Sequence, residues 1–138
     1  SLAEFAEAHA KKDLGGLAAL TVADEAYGAE DFAKALNFYS IAAEALTGKV
    51  LEGRARVGQA FALFYTGQES EGLAQLADIA ADASLAQAAR AEAAYHLAVE
   101  ADVAGRSDEY DRYVALIEAS TIATQWQQRL TIYEQQAR

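Results

Sequence analysis

The chain contains no cysteine, no proline and no methionine. Without cysteine there is no disulfide, no thiolate chemistry and no cysteine-based zinc site. Without proline nothing interrupts a helix from within, so helices joined by short turns are expected. Bases are scarce, 11 Lys and Arg against 21 Asp and Glu, for a formal net charge of −10. Between Gly67 and Asp111 the only bases are Arg90 and Arg106. A nucleic-acid duplex or an anionic membrane repels such a surface, so no nucleic acid is expected as a partner. The acidic face reads either as a solubilising surface or as a docking face for a basic partner. Long apolar runs are missing as well. The Ala-rich stretch 85–104 carries Arg90, Glu92, Glu100 and Asp102, and no signal peptide or membrane span is read. The sequence begins at Ser1, and a membrane tether preceding it is compatible with everything that follows.

What is present is helix-forming. Hydrophobic residues make up 53 % of the 138 positions, much of it alanine, which is too apolar for a disordered chain and of a length for one domain. Residues 2–12 read as a short helix with Leu2 and Phe5 on one side. Asp13 is placed to cap the next helix, which runs to about Tyr27. A turn at Gly28–Asp31 follows. Then Phe32, Ala35, Leu36, Tyr39, Ala42 and Ala43 keep the i, i+3, i+4, i+7 spacing of one buried helical face. Gly48 stands where a left-handed terminator belongs. Ser84–Gln87 and Thr124–Gln127 both fit capping boxes.

The pattern then recurs at 37 and 38 residues. Ala23, Ala60 and Ala98 superimpose, as do Ala26, Leu63 and Ala101, Tyr39, Leu76 and Val114, and Ala42, Ile79 and Ile117. A helix-pair period in this range marks stacked repeats, each covering the apolar face its neighbour leaves open. In the middle unit Leu51, Ala55, Gly58 and Ala62 form a narrow stripe of small residues, while Val50, Val57, Phe61 and Phe64 form a broad one. A helix apolar on two sides is expected to lie between others.

On these residues the chain resembles the tetratricopeptide repeat family. Ala23, Ala26, Ala35, Tyr39 and Ala42 stand at the family's small and aromatic positions, with "EDF" at 30–32 resembling its "GDY" turn. Ala60, Gly72, Leu76 and Ile79 follow in the second unit, and Ala98, Ala101, Tyr110, Val114 and Ile117 in the third. The period exceeds the family's usual length of about 34 residues, and the proline that commonly ends a repeat is missing. The resemblance implies an all-α, right-handed solenoid of about three helical hairpins in a single domain, 1–138. An N-terminal helix occupies 1–13, repeats occupy 14–48, 49–83 and 84–120, and a capping helix occupies 121–138. It implies a partner-binding groove lined by the first helix of each pair: Leu20, Asp24 and Tyr27, then Val57, Phe61 and Phe64, then Tyr95, Val99 and Asp102. The other reading of these aromatics is core packing. The Lys, Asn and Arg of a carboxylate clamp are absent from those places. Ala-rich long repeats and the terminal "WQQRL" are similar to bacterial envelope proteins, in particular to periplasmic repeat domains of the translocon-ancillary type. The periplasm or envelope is therefore the expected location, with the cytoplasm as the alternative.

The residues offer little to catalysis. Glu92, His96 and Glu100 share a helix face at intervals of four and together present a divalent-metal donor set, the basis of a rival reading as a helical metal protein or enzyme. Gly15–Gly16 lacks the Lys-Ser/Thr of a phosphate loop. Glu69, Glu71, Asp108 and Glu109 stand where helices begin and the macrodipole favours negative charge. The expected function is a non-catalytic module without a cofactor, binding a protein or peptide. A second copy is expected to be able to cover an open repeat end.

Overall fold

In a computed structural model that describes residues 1–122 and 124–137, alanine-rich helices alternate with short turns. Ala123 and Arg138, within the expected closing segment, lie outside the described residues. Among the described residues there are eight α-helices and no strand: α1 (Leu2–Ala8), α2 (Asp13–Gly28), α3 (Phe32–Ala45), α4 (Glu52–Tyr65), α5 (Glu69–Ala81), α6 (Gln87–Val103), α7 (Ser107–Glu118) and α8 (Gln125–Ala137). None of them is long and apolar enough to cross a membrane.

Three turns, between α2 and α3, α4 and α5, and α6 and α7, share one backbone geometry. Each holds a left-handed residue: Glu30 at φ 61°, Gly67 at 79° and Gly105 at 77°. The following N–H reaches back over the helix end in each case, Asp31 to the Ala26 carbonyl at 2.8 Å, Gln68 to Leu63 at 2.9 Å and Arg106 to Ala101 at 2.8 Å. These are the long closing bonds of a Schellman ending, which satisfy carbonyls the helix leaves open. Donors and acceptors recur at the 37- and 38-residue spacing of the sequence, so the repeat is one of backbone geometry as well as composition. Burial follows the same register: Ala23, Ala60 and Ala98 are fully buried, and so are Ala42, Ile79 and Ile117. The architecture is all-helical and repeat-like.

Two compact units divide the chain, residues 1–75 and 76–138, with the division inside α5. In the first, α1 packs on α2, α2 on α3, and α4 on both α3 and α2. Its core is mostly alanine, with Leu20, Val22, Phe38, Tyr39 and Leu46 as the larger members. Small residues permit the close approach. A Cβ at Gly15 would run into the His9 carbonyl just after α1, and one at Gly72 would stand 2.8 Å from the Ala60 carbonyl of α4. A Cβ at Gly58 would fall within 2.7 Å of three ring atoms of Tyr39. In the second unit α6 packs on α7, and α8 lies against both. Ala98, Ala101 and Tyr110 form its cluster with Tyr113, Val114 and Tyr133. The Arg90 guanidinium donates twice to the Ala80 carbonyl, at 3.1 and 3.0 Å, and ties α6 to the end of α5.

The helix starts divide by local competition. Asp31 caps α3, its carboxylate accepting from the Lys34 N–H at 3.2 Å. The Thr124 box closes in both directions at 3.3 Å. The Ser84 box does not form. Asp82 takes the Ser84 hydroxyl at 2.6 Å and its N–H at 3.0 Å, so α6 begins only at Gln87, behind Ala86 and without a side-chain cap. Asp13 is the first helical residue of α2 and not its cap, the capping place falling to Lys12. Its carboxylate pairs with Lys49 at 3.6 Å.

Candidate interaction surface

Six of the nine expected groove residues lie in the first unit. Leu20 and Val57 are buried: at the register that faces outward on an isolated helix, each is covered by the packing around it, and neither offers surface to a partner. Asp24 is exposed, and Tyr27, Phe61 and Phe64 are half-buried, with the two phenylalanine rings 5.7 Å apart.

Asp24 joins three helices. Its Oδ1 accepts from the Tyr39 hydroxyl of α3 at 2.5 Å and from the Arg54 guanidinium of α4 at 2.6 Å. Burial pushes the Tyr39 hydroxyl well above the ordinary tyrosine range, and the hydrogen bond and charge of Asp24 push it further. The hydroxyl is therefore a fixed donor. Burial alone would weaken the Arg54 charge, but the bond and charge of Asp24 reverse that and raise its pKa. A carboxylate held by one neutral and one cationic donor is a charge-assisted clasp between helices.

Next to the clasp is an aromatic cluster. The Tyr27 ring lies 6.4 Å from Tyr39, 5.2 Å from Phe32 and 6.0 Å from Tyr65, all edge-on. Phe32 and Tyr65 stack at 4.4 Å and 14°. These are preferred ring geometries. Tyr65 remains 60 % exposed, and the carboxylates Glu30 and Asp31, also exposed, immediately precede Phe32 in the turn. The cluster thus presents an apolar, flat surface bordered by negative charge. Phe32, Tyr65 and Arg54 were not among the expected groove residues. The signal for the two aromatics was available: Tyr27, Phe32 and Tyr65 all fall at helix ends beside turns of the repeat.

The other three expected groove residues lie in the second unit, where two of them hold α8. The Asp102 carboxylate accepts from the Tyr133 hydroxyl at 2.6 Å. Tyr95 stands 5.6 Å from Trp126, and Val99 is half-buried. His96 packs 5.3 Å from Tyr95 and 5.7 Å from Trp126, over whose ring Arg129 is placed at 4.6 Å. Burial, helped by the Arg129 charge, lowers the His96 pKa to about 4. The imidazole therefore stays neutral near pH 7.

The proposed metal trio does not converge. Among the described residues no group of three His, Cys, Asp or Glu side chains is placed to hold a metal ion. Glu100 is taken by Arg106, which also binds Glu109 at 2.8 Å, while His96 is turned into the aromatic packing. Comparison of the chain with protein-family models, with curated proteins and with solved structures finds no match in any of the three.

Proposed function

We propose that the chain is a non-catalytic interaction module of tetratricopeptide-like build, a right-handed stack of helix pairs. Its partner is a peptide segment that sets an apolar side chain beside a basic group. One observation supports this reading above the others: the Tyr27–Phe32–Tyr65 cluster is packed from below yet open above, with carboxylates at its edge. Rigid aromatics give large contact area at little entropic cost, and such anchors dominate peptide recognition. The Asp24 clasp holds the helices that carry the cluster, so the surface is formed before a partner arrives and little ordering cost remains. The Ala-rich repeats, longer than the usual tetratricopeptide unit, are what favours a bacterial envelope or secretion-associated protein in this reading.

The test is selection from a random peptide display, with affinities then measured by fluorescence anisotropy. Selected peptides should pair an aromatic or aliphatic residue with Lys or Arg. Tyr65→Ser should weaken them about tenfold or more while costing the fold only about 0.5–1.5 kcal/mol through the lost stacking on Phe32. Equal affinity for Tyr65→Ser and the parent chain refutes the surface. Fractionation of the native host tests the location: recovery only in cytoplasm overturns that part.

A further inference from the structure

The aromatic cluster of the first unit leaves one ring face open. The centroids of Tyr27, Phe32 and Tyr65 form a triangle with sides of 5.2, 4.4 and 6.0 Å. A ring capping the Phe32–Tyr65 stack would stand close to one member and much farther from the other. Tyr27 is instead nearly equidistant from both and almost perpendicular to both, at 79° and 78°. It therefore flanks the stack and caps neither end. Phe32 covers one face of Tyr65, and the other is the open one: Tyr65 is 60 % exposed, while Phe32 is half-buried. Among the described residues no cation of the chain lies over the Tyr65 ring.

A flat face beside negative charge discriminates between cations. Glu30, two residues before Phe32, is exposed and makes no ion pair among the described residues. Asp31 is exposed too, but one of its oxygens is engaged in capping α3. A quaternary ammonium is held best by rings on several sides. Here Phe32 and Tyr65 close on each other at 4.4 Å with Tyr27 outside them, so no box is left for it. A primary ammonium is a compact, strongly hydrated charge that gains little from a single exposed ring. A guanidinium is planar and weakly hydrated. It stacks on an aromatic face while its edge N–H groups remain free to donate to a carboxylate. The second unit pairs its own rings with this group, Arg129 over Trp126 at 4.6 Å and Arg112 over Tyr113 at 5.2 Å. Resting on the peptide-binding reading above, we propose that the basic group of the partner is an arginine, stacked on Tyr65 as a third layer with Glu30 as its counter-ion.

NMR titration of the chain with three capped dipeptides tests this: acetyl-Leu-Arg-amide, acetyl-Leu-Lys-amide and acetyl-Leu-trimethyllysine-amide. The arginine peptide should shift the Tyr65 ring resonances and bind about three- to fivefold more tightly than the other two. Tyr65→Phe keeps the ring face and should preserve that preference. Tyr65→Leu keeps only apolar area and should erase it. Glu30→Gln should weaken the arginine peptide about two- to fivefold, with helicity unchanged. Equal binding of the arginine and lysine peptides, both lost in Tyr65→Ser, overturns the arginine assignment and leaves the aromatic surface standing. Tightest binding of trimethyllysine, an arginine preference that survives Tyr65→Leu, or an arginine affinity that Glu30→Gln leaves unchanged also overturns it. No shift at Tyr65 from any of the three peptides overturns the assignment, and the reading beneath it falls only if the peptide selection fails as well.

Discussion

Replacing Gly58 by alanine should destabilise the first unit, although it adds helix propensity. Gly58 lies inside α4, where Gly→Ala is ordinarily worth about 0.8–1 kcal/mol of stability. The added Cβ would stand 2.6 Å from Tyr39 Cζ and 2.7 Å from Cδ1, and closer to Cε1. Real carbon contacts do not come this near, so something must shift. Tyr39 is 3 % exposed, and its hydroxyl is fixed on Asp24, so the ring has nowhere to retreat. Overpacking of this kind costs about 1–3 kcal/mol, and three ring atoms at once place it toward the upper end. The net expectation is a loss of about 1–2 kcal/mol. Gly28→Ala is the control. It ends α2 with nothing within 4 Å of the new Cβ, and it should stabilise by about 0.5–1 kcal/mol. Urea unfolding followed by circular dichroism measures both. In a Tyr39→Leu background, which removes the ring, Gly58→Ala should reverse sign and stabilise. If Gly58→Ala instead raises stability in the parent chain as Gly28→Ala does, the close approach of α3 and α4 is wrong.

Other outcomes follow from the turns and the buried clusters. Glu30→Gly should stabilise by about 0.5–1 kcal/mol in urea titrations, because a side chain at φ 61° carries a left-handed penalty that glycine lacks. Gly67→Ala and Gly105→Ala should each lose about 1 kcal/mol for the same reason. Asp24→Ala removes the acceptor for both Tyr39 and Arg54 and should cost about 1–2 kcal/mol, read as a lower urea midpoint. His96 is held neutral in the folded chain, its pKa lowered to about 4, whereas the unfolded imidazole takes a proton below about 6.5. Stability from this residue is thus whole above pH 6.5 and declines as the pH falls toward 4. An NMR titration should show the imidazole half-protonated near pH 4, and His96→Phe should flatten that part of the stability profile. Half-protonation near pH 6.5 in the folded chain would contradict the packing against Tyr95 and Trp126.

The sequence disclosed the helices and their register because alanine, glycine and aromatic positions recur with a period that only paired helices produce. Gly67 and Gly105 announce their turns. Glu30 does not, and only its place in the period identifies it as their equivalent. Helical angle alone misled in two ways. It set Leu20 and Val57 on a groove because it reports direction and not which neighbour crosses there. It set Glu92, His96 and Glu100 on one face, yet Arg106 claims Glu100 and the aromatic rings claim His96. The Ser84 box failed through competition from Asp82, a side-chain contact that no spacing rule contains. Arg54 acts through a contact 30 residues away along the chain, to Asp24, beyond the reach of local pattern.

The account rests on one hairpin geometry built three times. Amide hydrogen exchange followed by NMR at Asp31, Gln68 and Arg106 tests it most directly, since each N–H closes the same bond over a helix end. All three amides should exchange much more slowly than in a free peptide. Exchange at the free-peptide rate at any one of them would contradict the repeat at that turn.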